Sequence, residues 1–326
     1  MQDGNDPLAR PIPPGAVGPG SQPSGPDGAE LTYLAMPGAM HTYRQPVLPE
    51  PEDAAACAAG LAALRTLQLH LSHHRVGALP QVIDLGSLPA ADRRLVVDSL
   101  GEGEVSIRCR AADATVLATG SLSAESMADV EAQETRLAGV WRVRAGVGDG
   151  PGRDVLEVAD VPGFVRAHAF VAAGEDLVLP EPLPAGVMNA PGVLAELLEQ
   201  VRGRADQGAH RAPGGAQTQA DAAAVSPHVV NLTLLPQSEQ DLALLGDLLG
   251  RGPVSMLSRG YGNCRVTATA LREVWWVQYF NSDDTLILNT LEVTPVPAAV
   301  LAAQEDLADS AARLAEILAA LTEAAA

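Results

Sequence analysis

The sequence predicts an α+β protein built from two homologous modules, the product of an internal duplication, each a mostly antiparallel sheet with flanking helices. Three observations carry this expectation. Leu100-Gly-Glu-Gly-Glu-Val-Ser-Ile107 matches Leu249-Gly-Arg-Gly-Pro-Val-Ser-Met256 at Leu, both Gly, Val and Ser. Leu137-Ala-Gly-Val-Trp-Arg-Val143 matches Leu271-Arg-Glu-Val-Trp-Trp-Val277, and Leu156-Glu-Val158 matches Leu291-Glu-Val293. Upstream, Val82-Ile-Asp-Leu85 answers Val229-Val-Asn-Leu232, and Leu88-Pro89 answers Leu235-Pro236, all in one order along the chain. A period of about 140 residues is too long for a solenoid repeat, so each copy reads as a small domain.

The elements follow in order. Residues 1–30 are rich in Pro, Gly, Ser and Asp and poor in large apolar side chains, which predicts a disordered tail. Residues 31–50 read as an extended, Pro-rich arm. Module one spans 51–172. A helix over 53–74 follows Pro51, with acidic Glu52 and Asp53 at its positive end. A strand at 81–85, a helix at 90–100, and short strands near 104–109, 114–119, 138–144 and 154–159 come next, then a short helix at 162–171. Residues 173–190 form a linker. Module two, 191–326, opens with a helix at 191–204 and is interrupted by a polar, flexible insertion at 205–226. It resumes with a strand at 229–234, a helix at 237–249 and strands near 253–258, 264–270, 273–280 and 284–293. A helix over 298–322 closes it, with Leu307, Leu314, Leu318 and Leu321 along one face. Helices flanking runs of short strands are the pattern of an α+β fold.

The chain has 326 residues and a net charge of −19, and all 21 of its basic residues are arginine. Such a charge repels nucleic acid and anionic membranes. Without lysine there is neither a phosphate-binding P-loop nor a lysine Schiff base. No apolar run approaches the ~20 residues that span a bilayer, and the N-terminus lacks the pattern of a secretory signal. Cys57, Cys109 and Cys264 are odd in number and far apart, which predicts free thiols and a cytoplasmic protein.

Strand alternation lets the two copies be compared face by face. Trp141 and Val143 point to one face, Arg142 and Arg144 to the other. In the second copy Trp275 and Val277 take the core places, and Trp276 and Phe280 fall where the first copy is cationic. Leu286 and Leu288 share that face. This surplus apolar face is either covered inside the protein or a docking surface for another protein, where Trp and Phe are enriched.

Most candidate chemistry fails. His70 and His74 stand four apart on a helix and could share a metal ion, yet no third ligand has the right spacing. A polar helix end, with His favoured by the dipole, explains them as well. Cysteine pairs of the C-x-x-C kind are missing, as is the G-x-S-x-G of a hydrolase. Cys264 lies in Ser258-Arg-Gly-Tyr-Gly-Asn-Cys-Arg265. Two neighbouring guanidinium groups, Arg259 and Arg265, would favour its thiolate; a small buried strand residue is the other reading.

The segment carrying RGYGNCR, VWWVQYFNS and LILNTLEV, from Arg259 through Val293, resembles the HupH/HyaF family of hydrogenase expression and formation proteins, also called HoxQ. PGAMHTY and PVLPEPE in the N-terminal arm and QEDLADSAARL near the C-terminus resemble the same family. The resemblance implies an accessory chaperone or scaffold in the maturation of uptake [NiFe]-hydrogenases. It further implies action on the iron–sulfur small subunit, beside other maturation factors, with importance when oxygen is present. It implies no cofactor and no turnover. On that reading Arg259, Tyr261, Asn263, Cys264 and Arg265 join Trp276, Phe280, Leu286 and Leu288 as candidate partner-binding residues. The rival is a thiol- or metal-handling enzyme of cluster assembly or repair that uses Cys264.

Overall fold

The computed structural model describes residues 51–110, 129–146, 152–209, 226–259 and 263–322. The expected tail and arm lie outside these residues, as do the strand at 114–119 and residues 210–225 of the expected insertion. In chain order the first half comprises α1 (Pro51–Ala55), α2 (Ala58–His73), β1 (Gln81–Asp84), α3 (Ala90–Leu100), β2 (Val105–Cys109), β3 (Val130–Glu134), β4 (Val140–Ala145), β5 (Arg153–Val158) and α4 (Gly163–His168). The second half comprises α5 (Ala190–Ala209), β6 (His228–Asn231), α6 (Glu239–Leu249), β7 (Val254–Ser258), β8 (Asn263–Ala268), β9 (Val274–Phe280) and β10 (Leu286–Val293). A short 3-10 turn (Ala298–Val300) then leads to α7 (Gln304–Thr322).

The described strands form one ten-stranded antiparallel sheet in the order β1-β5-β4-β3-β2-β7-β8-β9-β10-β6. The sequence suggests a separate sheet for each module. Instead, each half contributes five strands in mirrored order, and β2 pairs with β7 at the centre. A five-stranded sheet has two edges whose backbone groups need partners, and pairing the two halves satisfies one edge of each. The central register sets Ile107 against Met256. Arg110 N donates to Pro253 O at 3.1 Å, and Arg259 N donates to Glu104 O at 3.1 Å. By the sequence match these two bonds are counterparts, so a pseudo-twofold axis runs between β2 and β7.

The repeated motifs perform the same local tasks in both halves. Trp141 Nε1 donates to Ala159 O, and Trp275 Nε1 donates to Thr294 O, each at 3.0 Å. The hydroxyls of Thr135 and Thr269 donate to the carbonyls of Leu137 and Leu271. Asp92 Oδ1 accepts the amide of Gly60 at the start of α2, and Asp241 Oδ1 accepts the amide of Ala190 at the start of α5. Burial opposes the charge of Asp241, yet amide donors from Ala190, Ser238 and Met188 hold its carboxyl well below the usual range. The second glycine of each G-x-G is forced by close approach: a Cβ on Gly103 would lie 2.2 Å from Thr135 O, and one on Gly252 2.9 Å from Thr269 O.

The sheet is covered on both faces. On one face a single core crosses the centre, built from Ile107, Trp141, Met256, Val266 and Trp275. Phe164 and Val165 of α4 cover it, and Phe170 packs edge-on to Trp275 at 5.0 Å. The other face carries two cores. Leucines of α2 and α3 cover the first half together with Leu307, Leu314 and Leu321 of α7; α5 and α6 cover the second. Helix α7 thus closes the half to which it does not belong in sequence.

Three local expectations change. β3, Val-Glu-Ala-Gln-Glu, is a strand that its polar sequence hides; only Ala132 is fully buried there, and its neighbours supply the packing. The helix expected to end at 204 continues to Ala209, so residues 205–209 belong to α5 rather than to a linker. The last helix begins at Gln304, because the chain from 294 to 303 first crosses the sheet end, where Ala302 N donates to Asp160 O at 3.0 Å.

Candidate functional site

In β9, Val-Trp-Trp-Val-Gln-Tyr-Phe, every residue from Val274 to Gln278 is buried, because helices or loops cover both faces of the sheet here. Trp276 is only 7% exposed and packs with Leu194 and Leu197 of α5 and Leu244 and Leu245 of α6. Its Nε1 donates to Asn289 Oδ1 at 2.6 Å. Of the two readings of this face, the internal one holds at Trp276. The second half's own helices close it, while the C-terminal helix lies on the first half.

The strand leaves this cover at its end. Tyr279 and Phe280 are partly exposed, Phe280 pairs with Leu286, and Tyr279 pairs with Leu288. The register skips one residue between them, a β-bulge that turns Ile287 outward to 57% exposure. The turn after β6 is tied to the same strand: Leu232 N donates to Asn289 O, and Asn289 N donates to Thr233 Oγ1. It carries Leu234, 80% exposed, and Leu235. Phe280, Leu286 and Ile287 thus give the β9–β10 hairpin an apolar end, and Leu234 and Leu235 lie exposed on the turn tied to the same strand. Among the described residues the first half offers no counterpart. Ala145 and Arg153 stand where Tyr279 and Leu288 do, Gly146 replaces Phe280, and β4–β5 pairs without a bulge.

The polar candidates hold this end in shape. Asn281 Oδ1 accepts the amides of Asp283 and Thr285 and so closes the turn. Asn263 Nδ2 donates to Asp284 Oδ1 at 3.0 Å, fixing β8 to the hairpin. The Arg265 guanidinium lies 5.3 Å from the centre of the Phe280 ring, a cation–π contact. Arg259 acts through its backbone at the central seam. Tyr261 lies outside the described residues.

Cys264 follows the buried-strand reading rather than the thiolate one. Alternation in β8 turns Arg265 to the helix side and Cys264 to the opposite core, where the thiol is 5% exposed. Burial pushes its pKa up to about 11, opposed in part by a hydrogen bond with Tyr279. Burial first, then the neighbouring Cys264 and Glu292, raises Tyr279 to about 12, and burial also raises Glu292. At neutral pH the thiol keeps its proton and is a poor nucleophile.

The histidine pair also finds no metal geometry, since no three His, Cys, Asp or Glu side chains among the described residues converge for an ion. His74 is buried, and neither ring nitrogen has a hydrogen-bond partner. Burial holds its pKa below the usual histidine value. No described helix is long and apolar enough to cross a membrane.

Sequence reasoning finds Phe280 and Leu286 but misses Ile287, Leu234 and Leu235, and it misplaces Leu288, which the bulge pairs with Tyr279 on the opposite face from Phe280. Strict alternation assigns Ile287 to a face, and the bulge breaks that alternation; the greater length of the second half's hairpin is the signal that could have revealed it.

The family model described as "HupH hydrogenase expression protein, C-terminal conserved region" matches residues 57–177 and again 187–321. The chain is similar to the hydrogenase expression/formation protein HupQ of Azotobacter chroococcum, 45% identical over 95% of this chain and 97% of that one. It is similar to HoxQ of Azotobacter vinelandii, 42% identical over 97% of this chain and 99% of the relative. The hydrogenase-1 operon protein HyaF of Escherichia coli is 34% identical over 95% and 96% of the two chains. The solved hydrogenase expression protein HupH from Thiobacillus denitrificans matches 40% of this chain and 95% of its own, with 26% identity and a TM-score of 0.33.

Proposed function

The chain belongs to the HupH/HoxQ/HyaF family of hydrogenase expression/formation proteins, and from that membership we propose that it is a non-catalytic chaperone or scaffold in [NiFe]-hydrogenase maturation. It works in the cytoplasm, holds the iron–sulfur small subunit during assembly, and matters most when oxygen is present. The observation that carries a binding role is the apolar hairpin end. Exposed apolar side chains in a cluster mark interaction sites, and this cluster occurs in one half and not in its counterpart. The family model's match to both halves, with the paired Trp, Thr and Asp bonds, supports descent from one duplicated unit. One copy then keeps the ancestral frame while the other carries the docking surface.

The rival reading, a thiol enzyme working through Cys264, is disfavoured by the burial that keeps the thiol protonated. The test is affinity capture from hydrogenase-producing cells at low and high oxygen. We expect the small subunit to co-purify, more of it in oxygen, and Ile287→Asp to lose it while remaining folded. Capture of no hydrogenase subunit in either condition contradicts the proposal.

A further inference from the structure

β6 is the last strand of the sheet, and no described strand pairs with its outer side. Leu232 N donates to Asn289 O, and Val230 pairs with Leu291. In an antiparallel ladder, hydrogen-bonded pairs alternate with non-bonded ones. Val230 and His228 are therefore turned to β10, and the amides of Val229 and Asn231 face outward. Val229 is 46% exposed. Such an edge is a ready template for one more strand. β1 at the far end has the same geometry, with Val82 44% exposed. At its corresponding end, however, Ser87 stands where β6 is followed by Leu234, Arg153 stands where β10 has Leu288, and β4–β5 has no bulge residue to match Ile287.

The charge around β6 constrains the occupant. Exposed Asp283 and Asp284 lie in the turn between Phe280 and Leu286, within a chain of net charge −19. Glu196 faces His228 at 2.7 Å at the start of β6. The nearby cations are engaged: Arg265 is stacked on Phe280, and Arg204 donates to Ser226 O and lies 3.7 Å from Glu273. We infer that β6 is a strand-addition site for an extended segment of the client, apolar at alternate positions and flanked by arginine or lysine. The added backbone bonds to Val229 and Asn231, an apolar side chain lies on Ile287 and Leu234, and the basic flanks meet the acidic turn. This rests on the client-binding reading above and adds its chemistry.

The probe is a fluorescent decapeptide of alternating valine and threonine with two arginines at each end, titrated into the full chain and followed by anisotropy. Val229→Pro removes an outward amide and leaves the bonds to β10 in place; Val82→Pro makes the same change at the other edge. We expect Val229→Pro and Ile287→Asp each to weaken binding about tenfold, the equivalent of one or two backbone hydrogen bonds, and Val82→Pro to leave it within about twofold. A peptide with glutamate ends binds at least about tenfold more weakly. Equal binding by Val229→Pro, equal loss in Val82→Pro, indifference to the end charges, or no binding by the parent chain overturns the site. Capture of the small subunit is scored in parallel. If the parent and Val229→Pro capture it equally, strand addition is wrong and client binding stands. If the parent binds the peptide but captures no hydrogenase subunit, the client reading is wrong and the edge site stands.

Discussion

Ile107 in β2 stands directly opposite Met256 in β7, and each is the sequence counterpart of the other. Both are buried in the core that crosses the centre of the sheet. A residue paired with its own counterpart lies on a twofold axis, as in an isologous dimer interface. The two halves are thus joined as two subunits would be, through one continuous ladder.

Ile107→Ala and Met256→Ala should each cost about 2–4 kcal/mol, the usual range for truncating a buried aliphatic side chain. Because the two are in contact, the double variant should depart from additivity by at least about 0.5 kcal/mol. Urea unfolding followed by both far-UV dichroism and tryptophan fluorescence should stay a single coincident transition. Two resolved transitions would mean that the halves are separate folding units after all.

Gly139 and Glu273 occupy equivalent turns, with φ of 77° and 58°. Their carbonyls accept the amides of Ala159 and Thr294. A Cβ on Gly139 would lie 2.2 Å from Leu307 Cδ2, because α7 covers this turn. Gly139→Ala should therefore destabilise the protein by about 2 kcal/mol or more. Glu273→Gly, by relieving a left-handed non-glycine residue, should be neutral or stabilising by up to about 1 kcal/mol. Thermal denaturation of the two variants checks the pair; an equal loss in both would contradict the account.

A buried histidine and a half-buried glutamate set opposite pH dependences. Burial holds His74 below its ordinary value of 6.5, so the unfolded chain binds the proton more readily. Its contribution to stability is complete above that value and falls as the pH drops below it. Burial pushes Glu134 from 4.5 up to about 7, against the amide bond from Gly139. The folded state then binds the extra proton, so stability falls as the pH rises from about 4.5 to about 7. His74→Phe should flatten the acid side of a stability–pH curve, and Glu134→Gln the limb between 4.5 and 7. Unchanged curves would contradict these assignments.

Cys264→Ala should cost on the order of 1 kcal/mol and leave client capture intact. In the folded protein the Cys264 thiol should resist iodoacetamide at pH 8 and react normally once unfolded in urea. Rapid alkylation in the native state, or a folded Cys264→Ala protein that binds client yet fails in maturation, would favour the enzyme reading.

Much of the fold is legible in the sequence. The repeated Trp and G-x-G motifs mark positions with fixed local tasks, a carbonyl for the indole to reach and an approach too close for a Cβ. Trp141 and Trp275 lie in the core as alternation requires, and Arg142 and Arg144 stay partly exposed beside Asp154 and Glu131. The single sheet is not legible, because partner choice between edge strands depends on which edges the whole fold leaves open. β3 is hidden because its neighbours, and not its own side chains, supply most of the packing. Trp276 reads as surface only while the helices above it are unplaced; α5 and α6 bury it, and α7 crosses to the other half. The bulge at Ile287 escapes because alternation presumes an unbroken ladder.

The proposed function places the hydrogenase client on the exposed end of the β9–β10 hairpin. Its most direct test is equilibrium binding of the purified small subunit to the parent chain and to Ile287→Asp, with melting temperature recorded for both. The account predicts an unchanged melting temperature and a loss of about 2 kcal/mol or more in binding, the scale of an apolar interface anchor. Equal affinity in two equally stable proteins would contradict it.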